Sequence, residues 1–310
     1  MAVEGSSKPY GGLSKRLIWG TLTSVLGCLL PTGHSLGVIN TPEKVIRSWI
    51  VSGCEERGWA ITADMEVMLW ATVVSIFVLG AAIGSMLAPG MADRIGRKGA
   101  LLLTEVLAAV SGALFLSCYG VNYVEILVLG RFIAGISAGF ATCVVSLYLS
   151  EICPRSLKGV FSAMVHLGFT VGMLGSHIVG LPQMLGNERY WPLLLSGNLI
   201  YVLLGLLALP MAPESPAYYY MTLQDKDRAS AELMKLRQAG SSDEIMTELS
   251  LLRVEAKRRQ QQGSWTLAQI WQDRKLRKLL VFVFLINLGK QFSGINAVFY
   301  YSMLVFRSAG

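Results

Sequence analysis

The sequence predicts an all-α polytopic membrane protein, and three observations predict it. Of its 310 residues, 53% are hydrophobic and only 15% charged, with a mean hydropathy of +0.51, outside the usual range of soluble domains. Uncharged stretches exceed the ~20 residues that an α-helix needs to cross a bilayer core: residues 17–42 and 67–92 contain no Asp, Glu, Lys or Arg. Lys and Arg crowd residues 1–16, 93–98, 151–158 and 214–278 and thin out in the intervening connections.

The elements follow in order. Residues 1–16 form a tail. The uncharged stretch after it is far longer than the ~7–15 residues of a secretory core and has no small-residue cleavage site, so it is a retained first helix. Spans then fall at 66–93 and near 99–121, 125–149, 159–181, 191–213 and 279–306, seven in all. Short connections on the tail's side hold eight Lys and Arg, against four (Lys44, Arg47, Arg57 and Arg189) on the other side. The amino terminus is therefore expected in the cytoplasm. Residues 17–213 make a six-helix half, 214–278 a cytoplasmic helical linker, and 279–310 a seventh span.

Within the linker, Ser241 and Glu244 are spaced as a capping box, with Ile245, Leu249 and Leu252 at helical spacing behind them. "KDRASAELMKLR" and "LAQIWQ" are also helix-like. Four spans carry glycines four apart, Gly33/Gly37, Gly80/Gly84, Gly135/Gly139 and Gly168/Gly172. Such pairs groove one helix face and let a neighbouring backbone approach, which is how helices pack in lipid.

Several function classes are excluded. The net charge of +7 reflects loop asymmetry, without the basic and aromatic patch of a nucleic-acid binder. Cys28, Cys54, Cys118, Cys143 and Cys153 have neither disulfide nor metal-ligand spacing and read as small packing residues. No Asn-x-Ser/Thr acceptor occurs. Three scattered histidines and no acid-rich cluster supply no enzyme site, and no cofactor is implied.

The charged positions carry more. "GMADRIGRK", Gly90 to Lys98, packs Asp93, Arg94, Arg97 and Lys98 into a short connection where mixed charges can bond neighbouring helix ends. The segment resembles the cytoplasmic motif of the major facilitator superfamily. "GRFIAGISAG", "YLSEICPRSLKG", "WPLLLS", "PESPAYYY" and "QFSGINAVFYYS" resemble the sugar porters, and together they are most similar to the facilitative glucose transporters of solute carrier family 2.

That resemblance implies twelve helices in two halves, a sugar site between the halves, and alternating access. This chain would supply the amino-terminal six-helix bundle, the linker and the seventh helix, as a fragment, a truncated gene model or a short splice form. The implied function is facilitated transport of a hexose such as glucose or fructose, in the plasma membrane. The implied partners are the sugar, the bilayer, and either a full-length transporter or the missing second half. Two alternatives stand beside it: a non-transporting short form that associates with full-length transporter, and a proton-coupled symporter. Proton-coupled relatives place an aspartate where this chain has Ser35, which favours facilitated diffusion.

The resemblance also implies site residues. On the seventh span, Asn287, Gln291 and Asn296 correspond to amides that read sugar hydroxyls, because an amide both donates and accepts. Lys290 replaces one of an expected glutamine pair and only donates. On the fifth span, His166 replaces a sugar-binding glutamine, and Phe169 and Met173 match apolar positions of the cavity. Glu105 is an intramembrane carboxylate at a polar, structural family position. Asp93, Arg94, Arg97, Arg131, Glu151, Lys158 and Glu214 are expected to form a cytoplasmic ion network that gates the inner side. Lys158 stands for an arginine, and Ala217 for the arginine after "PESP".

Overall fold

The computed structural model describes residues 14–239, 242–262 and 267–294, and every regular element among them is helical. They fall into two compact units, divided between Ile245 and Met246.

The first unit opens with α1 (Lys15–Ser24), capped by Ser14, whose hydroxyl accepts from the Leu17 amide at 3.1 Å. A π turn (Val25–Leu29) joins it to α2 (Leu30–Gly37). Pro31 explains the wide turn: it has no N–H to give the turn before it, and the Leu30 amide instead reaches the Val25 carbonyl, five residues back. Then come α3 (Glu43–Glu55), α4 (Ala63–Ser117), α5 (Val124–Ile152) and α6 (Lys158–Val179). The unit continues with α7 (Trp191–Leu195), α8 (Asn198–Ala208), a 3₁₀ turn (Leu209–Met211), α9 (Pro216–Met221) and α10 (Lys226–Arg237).

α4 is two helices joined across a kink at Gly96, within the expected connection at 93–98, and together they hold 55 residues. At 1.5 Å per residue that is roughly 80 Å, enough to cross a ~30 Å core twice. The direction changes at Gly96, whose φ of +82° strongly disfavours a side chain. Helices α4, α5, α6 and the run Trp191–Met211 are each long and apolar enough to cross a membrane. Their outward faces stay apolar, as at Met86 (82% exposed) and Leu207 (78%).

Glycine sets how closely these helices pack. A Cβ on Gly80 or Gly84 would strike the backbone of Phe132 or Ile136 on α5, and one on Gly135 or Gly139 would strike that of Phe77 or Ala81 on α4. The same reciprocity joins α2 to α6: Gly33 faces the backbone of Phe169 and Met173, and Gly172 faces Leu30. All four glycine pairs thus lie in interhelical seams. At one end of the bundle α3 is tied down by Trp49, which meets the Trp191 ring edge-on at 5.0 Å and donates to Asn122 at 3.0 Å. Arg57 bonds Glu125 at 2.8 Å at the same end.

The second unit holds most of α11 (Ser242–Gln262), with α12 (Leu267–Gln272) and α13 (Arg274–Phe292). The bounds of α10 and α12 coincide with the two helix-like strings of the sequence. Ser241 of the expected capping box lies outside the described residues. Asp273 caps α13 by accepting from the Lys275 and Leu276 amides. Of the seventh span expected near 279–306, α13 covers the start as far as Phe292, Gly294 follows with φ +74°, and residues 295–306 lie outside the described residues. That backbone conformation is one a glycine takes freely.

Two alanine substitutions separate seam glycines from the rest. Gly135→Ala, which meets backbone, is expected to destabilise the detergent-solubilised protein by about 1–3 kcal/mol. Gly90→Ala, with nothing within 4 Å, should leave stability the same or slightly higher. Thermal melts of the two variants check this.

Candidate functional site

The charges of "GMADRIGRK" meet those of two later segments at the end of the bundle opposite α3. Arg97 and Asp93 are four apart on α4 and bond at 3.1 Å. The Arg97 guanidinium also grips Glu151, near the end of α5, through two bonds of 2.8 Å. It lies 5.2 Å from the centre of the Tyr218 ring and is only 4% exposed. This parallel two-bond geometry is available to arginine and not to lysine.

Glu214 completes the cluster from the segment before α9. Its carboxylate accepts from the amides of Arg97 (3.0 Å), Lys98 (3.2 Å) and Ser215 (2.9 Å). The bend at Gly96 makes this possible, because a Cβ there would come within 2.6 Å of a Glu214 oxygen. Burial pushes the Glu214 carboxyl above the ordinary carboxylate range, against the opposing pull of the Ser215, Lys98 and Arg97 amides. Ser215 serves twice: its hydroxyl donates to Glu151 and accepts from the Tyr218 amide as the cap of α9. Tyr148 donates to the Pro213 carbonyl at 2.8 Å, fixing the same segment. Sequence reasoning missed Ser215, Tyr148 and Tyr218; a serine followed by proline at a helix start was the available sign for Ser215.

Three expected members of this network are placed elsewhere. Arg131 is fully buried in α5, donating to the Ser35 carbonyl at 2.6 Å and lying 4.5 Å from the Phe77 ring centre. Twenty residues of helix, roughly 30 Å, separate it from Glu151; its place is against the end of α2. Arg94 is exposed and makes no hydrogen bond or ion pair among the described residues. Lys158, at the start of α6, forms no ion pair among the described residues and lines a crevice with His166.

The expected sugar-facing residues divide between the units. His166, Phe169 and Met173 recur along one face of α6. His166 is exposed, while Phe169 and Met173 are half-buried, their backbone set against Gly33. Asn287, Lys290 and Gln291 lie on α13, where the Asn287 amide donates to the Val283 carbonyl at 2.9 Å. Asn296 lies outside the described residues. Glu105 is wholly buried in α4 against Gly27 and Gly205, with neither oxygen hydrogen-bonded among the described residues. No group of His, Cys, Asp and Glu among the described residues is arranged to hold a metal.

Arg97→Gln and Glu151→Gln are each expected to lower stability by about 3 kcal/mol, because each removes one charge of a buried pair and strands the other. Arg94→Gln should change it by less than about 0.5 kcal/mol. Denaturation of the three variants in mixed detergent tests this, and an equal loss in all three would mean that the pairing is not what holds this end.

Comparison with known proteins places these features in a family. Residues 20–310 match the family described as sugar (and other) transporter. The facilitated glucose transporter member 3 of solute carrier family 2 from Gallus gallus is 35% identical over 299 residues, 96% of this chain and 60% of its own length. Member 7 from Mus musculus is 33% identical over 299 residues, 96% of this chain and 58% of its own length. Among solved structures, the proton:xylose symporter XylE bound to 6-bromo-6-deoxy-D-glucose superposes with a TM-score of 0.78 at 22% identity, over 96% of this chain and 64% of its own. The inward open conformation of the xylose transporter XylE from E. coli gives 0.73 at 22% identity, over 93% and 64%. These likenesses establish a major facilitator superfamily fold, and the chain spans 60% or less of the length of the two relatives named. With its several membrane-spanning helices, a matched region of 20–310 and relatives that are transporters and not enzymes, the chain belongs to the sugar (and other) transporter family.

Proposed function

We propose that this chain is the first half, connecting segment and seventh-span start of a facilitative hexose transporter working by alternating access. Residues 17–213 form the six-helix half, 214–278 a cytoplasmic linker, and 279–310 the opening of the second half. The tail of residues 1–16 lies in the cytoplasm and the protein resides in the plasma membrane. The observation that carries the reading is the cluster of Asp93, Arg97, Glu151, Glu214 and Ser215, which ties three separate segments at one end of the bundle. Charge-assisted bonds between helix ends can be broken and remade as helices tilt, which a gate requires and a static scaffold does not. On the substrate side, His166, Phe169 and Met173 share one face of α6, and Asn287, Lys290, Gln291 and Asn296 meet the sugar from the seventh span.

The chain completed with the second half of the Gallus gallus member 3 transporter, in proteoliposomes, is expected to take up D-glucose faster than L-glucose. Lys290→Gln should alter the D-glucose rate several-fold, since it restores a group that both donates and accepts. Equal uptake of the two enantiomers by the folded protein would overturn the reading.

A further inference from the structure

A crevice of 240 Å³ opens between α5 and α6, lined by Ser146, Ser150, Lys158, Phe161, Ser162 and His166 among others. Among the described residues, no carboxylate lines it. The nearby Glu151 has both oxygens engaged by Arg97 and Ser215, so Lys158 makes no ion pair among the described residues. The hydroxyls are oriented as well. Ser146 donates to the Thr142 carbonyl at 2.7 Å and Ser150 to the Leu147 carbonyl at 2.7 Å. Both therefore spend their protons on their own helix and present oxygen lone pairs outward, ready to accept.

The crevice thus offers two complementary demands. Lysine only donates and carries a positive charge, so it asks for an anionic acceptor. The serine oxygens ask for hydroxyl donors. A neutral hexose answers the second demand and leaves the first unmet; a simple carboxylate does the reverse. We propose that this crevice binds a polyhydroxylated carboxylic acid, a sugar acid, with its carboxylate on Lys158 and its hydroxyls on Ser146 and Ser150. His166, at the α6 end of the same crevice, bridges it to the sugar-facing face. The proposal rests on the reading of the chain as a sugar transporter and adds to the hexose path a side site for an acidic sugar.

Saturation-transfer NMR on the purified chain in nanodiscs, titrated separately with D-gluconate, D-glucose and acetate, tests it. Gluconate is expected to bind roughly tenfold more tightly than glucose, the effect of one charge-assisted hydrogen bond, and more tightly than acetate. In Lys158→Met, at an exposed position, the ratio of gluconate to glucose affinity should fall to near one while the melting temperature is unchanged. Glucose bound as well as gluconate by the unaltered chain would overturn the proposal and leave the sugar reading standing. Acetate bound as well as gluconate would overturn it by reducing the crevice to a plain anion site. Binding of none of the three would overturn the proposal alone, because the sugar reading is tested by uptake in the completed transporter.

Discussion

Everything else in the bundle depends on backbone meeting backbone at the two glycine seams. In lipid, apolar side chains gain little by leaving one hydrocarbon surface for another, so helices associate through close packing. Gly80, Gly84, Gly135 and Gly139 let α4 and α5 touch along consecutive turns, and Gly33 and Gly172 do the same for α2 and α6. Each seam fixes rotation as well as distance, because only one face of each helix lacks side chains. That rotation decides which residues face inward: Phe169 and Met173 stay half-buried beside the α2 seam, while His166, on the same face, remains open.

The charged end then works as a consequence of chain geometry. Gly96 divides α4 into two helices, and the kink presents two successive amides to the Glu214 carboxylate. Arg97 is left with its guanidinium free for Glu151 and Asp93. A buried guanidinium is tolerable only when its donors are answered, and here they are answered by groups from different segments. Arg131, likewise buried, donates to the Ser35 carbonyl and lies against the Phe77 ring.

What the sequence revealed depended on the range of the interaction. Glycines four apart and the short helices α10 and α12 are local patterns, and they were legible to the residue. The Asp93–Arg97 pair was legible for the same reason. Glu151 and Glu214 were reached by family likeness, since nothing local links residues 54 and 117 positions from Arg97. The tie of Arg57 to Glu125, across 68 positions, escaped altogether. Arg131 was misplaced because its charge outweighed its position: counting helical rise along α5 already sets it far from Glu151. The end of α13 at Phe292 was hidden because Lys290, Gln291 and Asn296 were assigned to one span by family likeness, which carries no backbone angle for Gly294.

The wide turn forced by Pro31 has an angular consequence. One additional residue in a single turn advances everything after it by about 100° around the helix axis. His34 and Ser35 therefore point a quarter-circle or more away from where uninterrupted α geometry would aim them. The imidazole meets the Leu194 carbonyl at 2.9 Å and the Ser35 carbonyl meets Arg131 only because of that offset. Pro31 thus acts as the azimuth setting for both.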